Sequence, residues 1–73
     1  MEGHEQMLQQ IGLNILHYRK KRGMTQQQLA DKVAYSKNHI QQIETAKATP
    51  SLIVLLDIAA ALEIPPAKLL EER

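Results

Sequence analysis

The chain has 73 residues, so residues 1 to 73 are expected to form one domain, and a domain of this size buries only about 60% of the surface that its unfolded chain exposes. It contains no cysteine, which excludes disulfides and thiolate metal sites. No apolar run approaches the roughly 18 residues of a membrane span and the N-terminus lacks a signal-peptide pattern, so we expect a cytoplasmic protein with no membrane partner.

Helical periodicity dominates the first third of the chain. Apolar residues recur at helical spacing from Leu8 to Tyr18, and a basic run then leads to Gly23. Cations favour the C-terminal end of a helix, and glycine commonly follows that end. The pattern predicts a first helix over roughly residues 5 to 22.

Capping signals open the next two helices. Thr25 and Gln28 have the spacing of a capping box, in which each side chain accepts a backbone N–H of the other residue. Ser36 has the side chain of an N-cap for a third helix. The segment of about residues 25 to 46 is therefore predicted to contain two short helices joined by a tight turn.

The third predicted helix has an unusual outward face. If Ile40 and Ile43 point to the core, helical spacing places polar residues on the opposite side. These residues are Asn38, Gln41, Gln42 and Thr45, with Lys37 beside them. The face holds amides, a hydroxyl and one cation but no carboxylate, whereas a solvated helix usually mixes Glu with Lys. Because Asn and Gln bond bidentately to adenine in the major groove, this helix is predicted to read DNA.

Charge is divided unevenly along the chain. Residues 6 to 50 hold seven Lys or Arg against two acids, a local charge of +5, whereas residues 51 to 73 hold two bases against four acids. The basic part contains the predicted helix pair, which suits a surface that meets phosphates. A solvated lysine-rich face is the alternative interpretation of the same pattern.

The fourth predicted helix, with Ser51 as its N-cap and Leu62 near its end, is apolar all round. The face assigned to the core contains Leu52, Leu55, Leu56, Ala59 and Leu62. The opposite side contains Ile53, Val54, Ile58, Ala60 and Ala61. Pro65 and Pro66 then precede a short fifth helix that carries Leu69 and Leu70.

The excess apolar surface predicts a homodimer. A five-helix domain of this size covers one side of the fourth helix, so the other side needs a partner, and a second copy of the chain is the simplest one. The residues assigned to the dimer interface are Ile53, Ile58, Ile64 and Leu69. Burial of this side by the first and fifth helices of the same chain is the alternative.

From Ile11 to Leu70 the chain resembles the Xre-type helix-turn-helix domain of phage Cro and repressor proteins. The motifs that carry the resemblance are an arginine-rich helix end before Gly23-Met24-Thr25-Gln26, Gln26-x-x-Leu29-Ala30, Ile40-x-x-Ile43-Glu44, Pro50-Ser51-Leu52 and Ala59-x-x-Leu62. The resemblance implies an all-α, compact five-helix lambda-repressor-like DNA-binding domain. In such a domain helix 3 lies in the major groove and helix 2 spans the backbone.

The resemblance also implies which residues contact DNA. Gln26 matches a position that contacts a phosphate, and Lys47 matches one that approaches the backbone just after helix 3. Base-reading positions match Ser36, Lys37, Asn38 and Gln42, with Gln41 as a further contact. His39 replaces what is commonly a small residue in the family, and it either approaches a phosphate or covers the edge of the core.

Two further expectations concern structure rather than contact. In the family an acid at the position of Glu44 often pairs with an arginine of helix 1, which Arg19 matches, and Arg19 is also assigned to a phosphate. The family usually has glycine where this chain has Ala34 and Ala46. If these alanines are left-handed, each costs on the order of 1 kcal/mol relative to glycine.

The sequence predicts no cofactor, no metal site and no enzymatic activity. His4, His17 and His39 lack ligand spacing, and no nucleophile has an identifiable base. The predicted function is a sequence-specific double-stranded DNA-binding transcriptional regulator, a homodimeric repressor or autoregulator that reads a palindromic operator through helix 3. The alternative is an antitoxin-like or adaptor protein that mainly binds another protein. A restriction-modification controller protein is a further possibility within the DNA-binding class.

Overall fold

The computed structural model describes residues 3 to 72, which form four α-helices and one short 3-10 helix. The helices are α1 (Glu5–Lys21), α2 (Gln26–Val33), α3 (Lys37–Glu44) and α4 (Leu52–Leu62), followed by the 3-10 helix Pro66–Leu70. The predicted all-α class is confirmed. The fifth helix is not an α-helix, because the segment after Pro65 has only five helical residues and closes with the tighter bond from Lys68 N–H to the Pro65 carbonyl, 2.9 Å.

Local capping chemistry defines where the helices begin. Thr25 Oγ1 accepts the Gln28 N–H at 3.0 Å and Gln28 Oε1 accepts the Thr25 N–H at 2.8 Å, so the predicted capping box of α2 is confirmed. Ser36 Oγ accepts the His39 N–H at 3.0 Å, and Ser51 Oγ accepts the Val54 N–H at 3.2 Å. Each bond satisfies a backbone donor that the first helical turn leaves unpaired.

The ends of α2, α3 and α4 share one backbone conformation, the left-handed one. Ala34 and Ala46, where the resembled family usually has glycine, have φ angles of 59° and 61°, so both alanines are left-handed. Glu63, which was not expected there, has φ 58°. The residue after each turns its N–H back to a carbonyl five positions earlier; Tyr35, for example, donates to Ala30 O at 2.9 Å. This geometry ends each helix without glycine.

The core lies where all these elements meet. Its fully buried large side chains are Ile15, Leu29, Ile40, Ile43, Ile58, Leu62 and Leu69, together with the polar Asn14. Helix α1 passes so close to the end of α3 that a Cβ on Gly12 would stand 2.4 Å from Glu44 O and 2.7 Å from Ile43 O. Only glycine allows this approach without displacing the α3 backbone.

Two side chains that sequence reasoning missed tie the C-terminal half to α1. Asn14 Nδ2 donates to the carbonyls of Leu69 at 2.9 Å and Glu71 at 2.8 Å, which holds the 3-10 helix against α1. Arg22 Nε donates to Leu62 O at 2.8 Å, at the C-terminal end of α4. Arg22 was assigned only to a basic run, yet its exposed side chain also bonds to backbone carbonyls at the end of α4.

The predicted faces of α4 were partly wrong, although Ala59 and Leu62 are buried and Ile53 is exposed, as expected. Val54, Ile58, Ala59 and Leu62 form the buried side, while Leu52 and Leu56, assigned to the core, are 69% and 40% exposed. Two of the four residues assigned to a dimer interface, Ile58 and Leu69, are 0% and 1% exposed, so they belong to the core and cannot contact a second chain. The error has a physical cause: α4 is apolar all round, so its periodicity does not indicate which side α2 and the 3-10 helix cover.

Candidate nucleic-acid interface

The outward face of α3 is as the sequence predicted. Ile40 and Ile43 are buried, and Lys37, Asn38, Gln41 and Thr45 are exposed, with Gln42 half-buried. Thr45 Oγ1 donates to Gln41 O at 2.9 Å, so its hydroxyl is partly used by the helix end. The face therefore presents amides and one ammonium group, all able to bond to base edges.

The carboxylate of Glu44 is turned away from this face into a buried pair with Arg19. Arg19 Nε lies 2.7 Å from Glu44 Oε2 and Arg19 Nη2 lies 3.1 Å from Oε1, so the predicted ion pair is confirmed with bidentate geometry. Arg19 Nη1 also donates to Met24 O at 2.9 Å. With Arg19 only 7% exposed, the guanidinium is occupied inside the protein, which argues against the phosphate contact also predicted for it.

Gln26, at the first position of α2, also bonds to Glu44. Its Nε2 donates to Glu44 Oε1 at 3.0 Å. Because Thr25 already caps the Gln28 N–H, the first-turn N–H groups of Gln26 and Gln27 are the ones left for an outside acceptor. An open concavity beside them is lined by Arg19, Lys20, Gly23, Met24, Thr25, Gln26, Gln27 and Lys37. The structure thus brings Gln26 and Lys37 together at one anion-attracting surface.

Ser36 and His39 have structural roles at the start of α3. Ser36 is the N-cap, with its Oγ bonded to the His39 N–H. The half-buried His39 ring stacks on Tyr35, with centroids 5.3 Å apart and planes 29° apart, so it covers the core edge. Sequence reasoning missed the role of Tyr35. The available signal was its spacing, because Tyr35 lies four positions before His39, just ahead of the start of α3.

The basic surface is built from lysines rather than arginines. Arg19 is buried in its pair with Glu44, and Arg22, though exposed, bonds to Leu62 O. The exposed lysines are Lys20, Lys21, Lys32, Lys37 and Lys47. Lys37 stands at the first position of α3 and Lys47 follows its left-handed end, so one lysine lies at each end of the helix. This arrangement places positive charge where a groove-bound helix meets the two flanking phosphate backbones.

Over residues 3 to 72 no group of three or more His, Cys, Asp or Glu side chains is placed to hold a metal ion. No helix in the same range is long and apolar enough to cross a membrane.

Comparison with known proteins identifies related chains. The family model HTH_3, described as helix-turn-helix, matches residues 15–69. An HTH-type transcriptional regulator of Sinorhizobium fredii, y4dJ, is 25% identical over 59 residues, which cover 81% of this chain and 77% of that protein.

Two solved structures have the same fold. The restriction-modification controller protein C.AhdI from Aeromonas hydrophila superimposes with a TM-score of 0.88 at 26% identity, covering 93% of this chain and 99% of that one. The hypothetical transcription factor NHTF from Neisseria gives a TM-score of 0.86 at 24% identity, covering 92% and 78% of the two chains. The second likeness, at this identity, shows the fold alone.

Proposed function

The chain belongs to the HTH_3 helix-turn-helix family of DNA-binding transcriptional regulators, and we propose that it regulates transcription as a homodimer that reads a two-fold symmetric operator through α3. The outward face of α3 carries the proposal. That face is exposed, contains no carboxylate, and is held on a helix whose only acid is buried against α1. Such a surface suits the major groove better than solvent.

In the proposed complex α3 lies in the major groove. Asn38, Gln41 and Gln42 supply amides that bond to adenine, and Lys37 donates to guanine. The start of α2 faces one phosphate backbone through its first-turn N–H groups, while Lys47 approaches the backbone beyond the end of α3. Gln26, Ser36 and His39 stand at this surface too, and their side chains support its shape through the bonds described above.

Dimerisation is proposed through the outer face of α4. The α4 outer face consists of Leu52, Ile53, Leu56 and Ala60, all of them exposed. Of the residues first assigned to the interface, Ile53 remains at its centre, and Ile64 is a half-buried neighbour that packs partly on the core. Contiguous apolar surface of this kind on a small soluble chain marks a protein contact, and a two-fold axis makes the same patch serve both copies.

Selection of duplexes from a random pool tests the proposal. In a two-fold dimer the two α3 helices stand roughly 34 Å apart, so we expect a near-palindrome whose half-sites are one DNA turn apart. Affinity should also fall steeply with salt, because exposed lysines displace counterions from phosphates. A monomer by sedimentation at high micromolar concentration, with recognition of one asymmetric half-site, would instead favour an adaptor that binds another protein through the α4 outer face.

A restriction-modification controller protein is the second candidate role. C.AhdI, which its name describes as such a controller, is 26% identical to this chain and is covered over 99% of its length by it. If this chain is such a controller, we expect it to bind DNA beside the restriction-modification genes that it controls. Footprinting on the DNA upstream of the gene for this chain and its neighbours separates that role from regulation of an unrelated operon.

A further inference from the structure

The side chain of Gln26 joins two helices of the DNA-binding surface. Gln26 is the first residue of α2 and Glu44 is the last residue of α3, and the 3.0 Å bond from Nε2 to Oε1 links them. A glutamine at the start of a helix on a DNA-facing surface would be free to turn to a phosphate. Here its amide is instead half-buried and directed to a carboxylate.

That carboxylate is where three helices meet. Glu44 Oε1 accepts from both Gln26 Nε2 and Arg19 Nη2, and Oε2 accepts from Arg19 Nε. Arg19 belongs to α1, so α1, α2 and α3 are joined at the end of the reading helix. Hydrogen bonds to a carboxylate that is paired with an arginine are stronger than bonds between neutral groups. The Glu44 carboxylate is also largely shielded from solvent, which strengthens them further.

Helix α3 depends on such links for its direction. It has only eight residues, too few to be stable alone, and its two ends are left-handed or extended turns rather than continuous helix. Arg19 and the close approach of Gly12 hold it against α1. Of the side-chain hydrogen bonds described for residues 3 to 72, the one from Gln26 to Glu44 connects α2 with the C-terminal end of α3.

We propose that Gln26 is a positioning residue for base reading, which acts through Glu44 to set the direction of α3 in the groove. This inference rests on the DNA-reading function proposed above. It differs from a phosphate contact in its consequence for specificity. Loss of a phosphate contact weakens binding to every duplex alike, whereas a misdirected α3 weakens binding only where base edges are read.

The first test compares Gln26→Leu with Gln27→Leu. Both replace an α2 amide by an apolar group of similar size and keep the backbone N–H groups that face the phosphate. The described side-chain bond of Gln27 runs to Asp31 within α2, at 2.9 Å, and not to α3, so the second variant is a matched control. Affinities are measured for the selected operator and for a random duplex of equal length at one salt concentration. We expect Gln26→Leu to lower the operator-to-random ratio about fivefold to tenfold and Gln27→Leu to leave it within about twofold. An equal loss on both duplexes with Gln26→Leu would show a phosphate contact and overturn the proposal.

The second test needs no DNA. Hydrogen exchange in the free protein should show faster opening of the α3 amides in Gln26→Leu, by about fivefold relative to Gln27→Leu, with α1 and α4 unchanged. Unaltered hydrogen-exchange rates in α3 would overturn the proposed positioning role of Gln26, even if DNA binding were affected. If the unmodified protein prefers no duplex over random DNA, the reading function and the positioning role both fail, whereas the exchange result still decides whether the bond braces α3.

Discussion

Helices α3 and α4 each expose one face, but the two faces have opposite chemistry. The α3 face presents Asn38, Gln41, Gln42 and Lys37, and the α4 outer face presents Leu52, Ile53 and Leu56. The first has solvent-facing hydrogen-bonding groups and positive charge, and the second has surface that water does not solvate well. The difference indicates that one side of the domain is suited to nucleic acid and another to a protein.

The two helices also differ in how clearly their sequences define a buried side. In α3 the apolar residues are only Ile40 and Ile43, one turn apart, so only one orientation buries both. In α4 ten of the eleven residues are apolar, and Asp57 is the exception. A helix with a narrow apolar stripe specifies its orientation by itself, whereas one that is apolar all round does not.

The largest expected effect separates the two sides of α4. Ile58→Asp places an unpaired charge in the core and should destabilise the fold by on the order of 5 kcal/mol, so that the chain loses helicity. Ile53→Asp changes only the α4 outer face and should leave helicity intact while dissociating the proposed dimer. Circular dichroism and sedimentation on both variants check this. A folded monomer from Ile58→Asp would show that the buried side has been assigned wrongly.

A smaller loss is expected when the carboxylate behind the α3 face is removed. Glu44→Ala leaves the Arg19 guanidinium buried without a counter-charge, which should cost about 3 to 5 kcal/mol. Urea denaturation at neutral pH measures the change. Lys68, which pairs with Glu71 at 3.3 Å on the surface, offers a control, because Lys68→Ala should cost less than about 1 kcal/mol. Equal costs for the two variants would contradict the burial of the Arg19 pair.

The α3 face itself should affect specificity rather than stability. Asn38→Ala and Gln42→Ala are each expected to weaken binding to the selected operator by about 1 to 3 kcal/mol and to leave random-duplex binding nearly unchanged. Lys47→Ala, by contrast, should weaken both and reduce the salt dependence. Binding titrations at several salt concentrations distinguish these outcomes, and uniform losses from the amide variants would remove their base-reading role.

The smallest expected effect concerns the turns on either side of α3. Ala34 and Ala46 hold left-handed backbones, so Ala34→Gly and Ala46→Gly should each stabilise the fold by a few tenths to about 1 kcal/mol, despite the extra freedom of glycine in the unfolded chain. Thermal or urea midpoints measure the gain. Ala67→Gly, at an exposed alanine whose φ is not positive, serves as the comparison and should stabilise nothing.

Much of the fold was predictable because its signals are local. The caps at Thr25, Ser36 and Ser51 involve residues within a few positions of one another. The left-handed ends at Ala34 and Ala46 were raised by the family's usual glycines at those positions. The ion pair of Arg19 with Glu44 was reached by family resemblance and not by spacing. The 3-10 character of Pro66–Leu70 was missed, since two prolines followed by two leucines do not distinguish one kind of short helix from the other.

What the sequence determined by itself is therefore the four α-helices, their approximate limits and the polar face of α3. Tertiary structure decided which side of α4 is buried and where Asn14, Arg22 and Gln26 direct their donors, through bonds that span 55, 40 and 18 positions respectively. The reason is physical. A cap bonds to residues nearby in the sequence, and a narrow apolar stripe defines its own buried side. The contacts of a uniformly apolar helix or of a long polar side chain depend instead on which distant elements pack beside it.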